Sequence, residues 1–209
     1  MLDASQLALF LAAALVIAIT PGPGIFYVAA RTLAGGRAEG LASTFGTGIG
    51  GLFHIAAGAL GVSALIMASA EAFTILKFAG AAYLVWLGLK TIREARFALP
   101  QGVTRTGAGR AFREGILVEA LNPKTAAFFL AFIPQFVDPA QGHVALQFAV
   151  LGLVPVVLNT LVDVIVVQMA ARARDGLSRR PKAIRRMREA SGVVMCGLGA
   201  TLALARRTA

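Results

Sequence analysis

Charge and cysteine are what this sequence has least of. Asp, Glu, Lys and Arg make up 14% of its 209 residues, where a soluble domain carries about 25%. Acids are the scarcer sign, 10 against 20 Lys and Arg, for a formal net charge of +10. A single cysteine, Cys196, excludes an intramolecular disulfide framework and leaves the redox compartment open. The histidines, His54 and His143, stand 89 residues apart, and with no Cys/His cluster neither a metal site nor another cofactor is expected. No P-loop, H-E-x-x-H or G-x-S-x-G occurs, so nothing points to an enzyme. The basic run at 172–188 has no interleaved aromatic residues. It therefore lacks a base-stacking platform, and nucleic acid is not an expected partner.

What is abundant is apolar: 57% of residues are hydrophobic and 23 more are glycine, with a mean hydropathy of +0.76. This excludes a soluble enzyme, a disordered tail and a fibrous protein, and predicts an all-α membrane protein. Six apolar stretches read as spans: Gln6–Thr32, Leu41–Ala68, Phe73–Lys90, Ala111–Val137, Val144–Ala171 and Ala190–Ala205. Six spans of about 20 residues use roughly 120, so residues 1–209 form a single transmembrane domain with connectors only. The start, Met1-Leu2-Asp3, has no Lys or Arg, which argues against a cleaved signal.

The connectors set an orientation. The first holds Arg31 and Arg37. The third runs from Lys90 to Arg113 and the fifth from Arg172 to Arg188, both rich in Lys and Arg. The second has Glu71 and the fourth Asp138. Basic connectors face the cytoplasm, where anionic lipid attracts them. Both termini are then expected outside.

Features recur at an offset of 102: Pro21 with Pro123, Gly40 with Gly142, Gly50 with Gly152, Phe26 with Phe128. The halves, about 1–98 and 106–209, each hold an odd number of spans, so the second inserts upside down. Inverted 3+3 repeats are a transporter architecture, with the site near the midplane between halves. Pro21 and Pro123 each sit near mid-span after a short polar residue, Thr20 or Asn122. Each removes a donor and frees the carbonyl four residues earlier. Two such breaks, Thr20-Pro21-Gly22-Pro23-Gly24 and Asn122-Pro123-Lys124, would offer helix-start amides to a carboxylate and open carbonyls to an ammonium. That chemistry suits a small zwitterion; kinks that serve packing alone are the alternative.

Ionisable groups inside an apolar slab are functional candidates. Asp163, with Asn159 one turn earlier, is read as a proton-coupling or ammonium-binding carboxylate, or as a structural partner of Lys124. Lys124 would bind a substrate carboxylate or neutralise Glu119 or Asp163, with pairing favoured at rest. His54 is a proton-relay candidate or a hydrogen-bonded core residue, and Glu119 is a further coupling candidate near the cytoplasmic entrance. Gly46 and Gly50, with Gly51 beside them, read as close helix packing. A channel or a non-transporting accessory subunit is the competing class. The sequence is compatible with a homo-oligomer without fixing it.

Several of these motifs together resemble the LysE/RhtB family of bacterial amino-acid exporters. They are Thr20-Pro21-Gly22-Pro23-Gly24, Gly46/Gly50, Lys77-x-x-Gly80-x-x-Tyr83-Leu84-x-x-Leu87-Gly88, Leu121-Asn122-Pro123-Lys124 with Phe128-Phe129, Pro134-Gln135-Phe136, and Ser191-Gly192 with Gly197-x-Gly199. The resemblance implies a multi-pass inner-membrane exporter of amino acids or derivatives, driven by the proton motive force. Where the family commonly has an acid after the second-span glycine, this chain has Gly51. Where it commonly has Asn before the Asn-Pro-Lys, this chain has Glu119. No specific amino acid is therefore carried over.

Overall fold

The computed structural model describes residues 3–62, 70–95, 104–172 and 181–204, and among them no strand occurs. Chain order gives α1 (Ala4–Ile19), α2 (Pro23–Ala57, continued by a π turn at Gly58–Val62), α3 (Ala70–Glu94) and α4 (Ala108–Ala120). Then come α5 (Pro123–Ala127, continued by π and 3-10 turns to Phe136), α6 (Val144–Arg172) and α7 (Pro181–Leu204). Thr74–Glu94, Ala108–Phe136 and Val144–Arg172 are long and apolar enough to cross a membrane. Ala4–Ile19 and Pro23–Gly61 qualify together, bent by 42°, and Glu189–Leu204 is a shorter apolar helix.

Gly36 divides α2. Its φ of 80° and ψ of −169° lie where essentially only glycine goes, so residues 23–35 and 37–57 are two helices meeting at a turn. The second therefore starts earlier than the expected Leu41. Similarly, α7 starts at Pro181 rather than Ala190. The connector before Ala190 is rich in Lys, Arg, Met and Glu, all good helix formers, and Arg185 and Glu189 pair one turn apart at 2.8 Å.

The helices are inside-out relative to a soluble protein. Along residues 40–51 of α2 the buried positions are small or hydroxylated: Gly40, Ser43, Thr44, Gly46, Thr47, Gly50 and Gly51. Phe45 and Phe53, on the other face, are more than half exposed. The hydroxyls close on their own helix, Ser43 donating to the Glu39 carbonyl at 2.8 Å and Thr44 to that of Gly40 at 3.1 Å. Small residues let backbones approach where lipid gives large side chains no reason to hide.

The close approaches also fix helix directions. A Cβ on Gly46 would lie 2.2 Å from the Phe112 carbonyl oxygen, and one on Gly50 2.6 Å from that of Ile116. The two helices advance together, so the second part of α2 runs parallel to α4. Gly51 meets Val156 and Gly58 meets Phe148, so α6 runs antiparallel to α2. Gly88 meets Gly192 and Gly199 meets Ala81, so α7 runs antiparallel to α3. Gly46 and Gly50 thus act in helix packing. A phenylalanine cluster, with Phe128 stacked on Phe132 at 4.9 Å and Phe10, Phe129 and Phe148 buried beside them, fills the core between α1, α3 and α6.

Candidate functional site

Both prolines stand between helices. α1 ends at Ile19 with Thr20 as its cap (φ −72°, ψ 113°), and α2 opens on Pro23. α4 ends at Ala120, and Asn122 (φ −72°, ψ 111°) caps α5, which opens on Pro123. The angles of Thr20 and Asn122 agree within a few degrees because a following proline excludes the α region.

A proline in this position leaves the carbonyl four residues back without its helical donor. For Pro21 that carbonyl is Ile17, and Lys124 donates its Nζ to it at 3.1 Å, and to the Thr20 carbonyl at 2.8 Å. For Pro123 it is Glu119, whose carbonyl takes the Asn122 N–H at 2.9 Å in place of the helical donor and also receives His54 Nε2 at 2.8 Å. A carbonyl only accepts, so Nε2 carries the hydrogen. Each break is thus served by a side chain from the opposite half of the chain. The Pro21 carbonyl is taken by the Ser191 hydroxyl from α7. Thr20 turns its own hydroxyl back to Val16 at 2.6 Å.

Lys124 is 4% exposed and passes beneath Gly22, where a Cβ would lie 3.1 Å from its Cδ and Cε. The expected resting pair with Glu119 or Asp163 does not form: the ion pairs among the described residues do not include Lys124. Unpaired carbonyls at the helix break are the nearer acceptors. Glu119 is buried. Its carboxylate accepts from Asn122 Nδ2 at 2.8 Å and from the Thr125 hydroxyl at 2.6 Å. It lies so close to Gly24 that a Cβ there would be 2.7 Å from Oε2. The segments 20–24 and 122–124 therefore touch.

Beside them is a cavity of about 20 Å³, room for about one water. Its polar lining is Thr47, Glu119, Lys124, Thr125 and Asn159; Ile17, Phe128, Phe129, Pro155 and Val156 are among its apolar walls. Thr20–Gly24, Asn122, Pro123, His54 and Asp163 do not line it. Asp163 lies one turn from Asn159 with no exposed surface. Its Oδ2 is 3.0 Å from the Thr47 hydroxyl, and its Oδ1 has no hydrogen-bond partner.

A second polar cluster joins the first and third connectors. Arg31, read from the sequence as a lipid-facing topology residue, is 8% exposed. It is ion-paired with Glu114 and donates to the Thr104 carbonyl and the Thr106 hydroxyl at 3.1 and 2.9 Å. Tyr27 donates its hydroxyl toward Glu114 at 3.0 Å. Glu39, 2% exposed, takes the amides of Thr106 and Gly107 at 3.0 and 2.7 Å and so caps α4. Sequence reasoning passed over Glu39, Glu114, Thr47, Thr125 and Pro155, and read Ser191 only as part of a motif. A count of acids near spans would have flagged Glu39 and Glu114. A search for prolines inside apolar runs would have flagged Pro155, which lies within α6.

The chain is 35% identical over 199 residues to an uncharacterized membrane protein of Vibrio cholerae, covering 94% of this chain and 96% of that one. It is 33% identical over 200 residues to the homoserine/homoserine lactone efflux protein of Salmonella typhimurium, covering 94% and 95%. It is 28% identical over 145 residues to the leucine efflux protein of Salmonella choleraesuis, covering 68% of each. No solved structure matches. Residues 15–206 match the family described as LysE type translocator, and the chain belongs to that family of transporters.

Proposed function

We propose that this protein exports small amino acids or their derivatives across the bacterial inner membrane, coupled to proton entry through Asp163. The observation that carries the reading is the meeting of two proline breaks, each held by a side chain from the other half, beside a cavity with a buried acid behind it. Irregular backbone at membrane depth persists only where protein or a water-filled cavity serves it. The names of the relatives support an amino-acid substrate.

In this reading the chain crosses the membrane six times as an inverted 3+3 repeat. The contacts support it: exchanging the halves maps α2–α4 onto α6–α1 and maps the α3–α7 contact onto itself, and all of these pairs touch. The cavity holds about one water, so the structure is a closed state, and substrate enters when the segments at Thr20–Gly24 and Asn122–Lys124 part. Opening frees Lys124 for the substrate carboxylate and the carbonyls it covers for the ammonium. The basic connectors face the cytoplasm and both termini face outward. A C-terminal alkaline-phosphatase fusion is then active and one within 172–188 inactive; the opposite pattern overturns the orientation.

The deciding experiment is counterflow of radiolabelled leucine, homoserine and a panel of other amino acids in proteoliposomes. Accelerated exchange for at least one, with accumulation driven by an imposed pH gradient, is the expected result. Exchange of none, or passive leak proportional to concentration, refutes the exporter.

A further inference from the structure

Asp163 has no surface of its own, so protons reach it through a neighbour. The neighbour that joins it to the cavity is Thr47, which lines the cavity and lies 3.0 Å from Asp163 Oδ2. Asn159 also lines the cavity, but an amide gives up its hydrogens far less readily than a hydroxyl. Glu119 on α4 and Lys124 on α5 are the charged groups near enough to act on Asp163. α1 contains no titratable side chain, and the titratable groups of α2 (Tyr27, Arg31, Arg37, Glu39 and His54) are not among the hydrogen-bond or ion-pair partners of Asp163.

Thr47 Oγ1 is placed for two acceptors, the Thr44 carbonyl at 2.8 Å and Asp163 Oδ2 at 3.0 Å, yet a hydroxyl has one hydrogen. The two arrangements are therefore exclusive. With Asp163 ionised, the Thr47 hydrogen points at the carboxylate and the Thr44 carbonyl keeps only its helical donor. With Asp163 protonated, the acid donates to Thr47 Oγ1 and the Thr47 hydrogen returns to Thr44. A threonine on its own helix would settle for the second position; the carboxylate opposite makes the first accessible.

We infer that Thr47 is the relay and positioning residue through which Asp163 exchanges protons with the cavity; this rests on the reading of Asp163 as the coupling acid. In the uptake step a cavity water carrying an excess proton transfers it to Thr47 Oγ1. The original Thr47 O–H bond breaks as its hydrogen passes to Asp163 Oδ2. The carboxylate becomes a carboxylic acid, the hydroxyl is restored, and the water is left neutral. Release runs the same steps in reverse. The hydroxyl's two positions also tie the charge on Asp163 to the wall of the substrate cavity.

The test is infrared spectroscopy of the full-length protein in lipid bilayers, following the carboxylic C=O band as H₂O is exchanged for D₂O. Asp163→Asn identifies the band by removing it. Thr47→Val, which keeps shape and loses the hydroxyl, is expected to slow deuteration of that band by about tenfold or more, while Thr47→Ser exchanges as wild type. Thr47→Ala serves the same purpose if the valine variant does not insert. Wild-type exchange in the valine or alanine variant overturns the relay and leaves Asp163 as coupling acid. If Asp163→Asn removes no band, the coupling reading falls as well.

Discussion

The two proline breaks share a cause but not a solution. At the first, three residues separate the helices, and the exposed carbonyls are covered by a cation, Lys124, and a hydroxyl, Ser191. At the second, the turn is tighter, and the Glu119 carbonyl is shared between the Asn122 N–H and the imidazole of His54. The first break leaves the Ile17 and Thr20 carbonyls near one another, and lysine supplies more than one hydrogen from one atom. At the second the tight turn returns a backbone N–H, that of Asn122, to the Glu119 carbonyl, and the imidazole adds a second donor. Lys124 and Glu119 both belong to the second half, so its side chains furnish the charge for both breaks. The contrast teaches that a repeated backbone interruption need not carry repeated chemistry.

Removing the more demanding donor should therefore have the larger effect. Lys124→Met leaves the Ile17 and Thr20 carbonyls buried and unpaired, and should cost about 3 kcal/mol. Thermal unfolding followed by a thiol dye on Cys196, the only cysteine, reports it. Adding Pro21→Ala returns a backbone N–H to the first break and should recover about 1 kcal/mol of that loss. Strict additivity of the two changes would mean that Lys124 does not stand in for the missing amide.

The packing that holds the second break comes next. A methyl on Gly50 must displace the Ile116 carbonyl and Glu119 Cβ, so Gly50→Ala should cost about 2 kcal/mol. Gly48→Ala meets only the movable Thr160 hydroxyl at 3.1 Å and should stay within about 0.5 kcal/mol. Equal melting shifts for the two alanines would break the account of the α2–α4 contact. The smaller break effect belongs to His54: His54→Phe should cost about 0.5 kcal/mol by removing one of the two donors to the Glu119 carbonyl, the Asn122 N–H remaining, and His54→Gln, which can still donate, should recover most of it. A glutamine no better than phenylalanine would assign His54 to its ring contact with Phe129, 5.6 Å away.

How much of this the sequence carries follows from distance along the chain. The apolar helices and the Gly46/Gly50 packing are local patterns, and hydropathy and spacing are enough to read them. The partners are not local. Lys124 reaches Ile17 across 107 residues, and Thr47 reaches Asp163 across 116. Pairing Lys124 with an acid was the natural expectation from charge alone; the helix-end carbonyls it covers have no residue-type signature. Thr47 was silent because a helical threonine ordinarily satisfies itself on the preceding turn. Arg31 looked like its neighbours in a basic connector, and only its burial against Glu114 distinguishes it.

Glu119 and Asp163 bring the functional claim to a point. Both are buried acids. Glu119 has each carboxylate oxygen engaged, whereas Asp163 keeps one oxygen without a partner. Glu39 also keeps one oxygen without a partner but holds the start of α4 with the other; Asp163, joined through Thr47 to the cavity, is the acid we read as taking up and releasing a proton. The most direct measurement compares Asp163→Asn with Glu119→Gln in proteoliposomes at matched reconstitution, recording pH-gradient-driven accumulation and gradient-free counterflow of the same radiolabelled amino acid. The account predicts that Asp163→Asn loses driven accumulation by about 100-fold or more while retaining counterflow, and that Glu119→Gln lowers both in proportion. Driven accumulation surviving in Asp163→Asn, or lost selectively in Glu119→Gln, would contradict it.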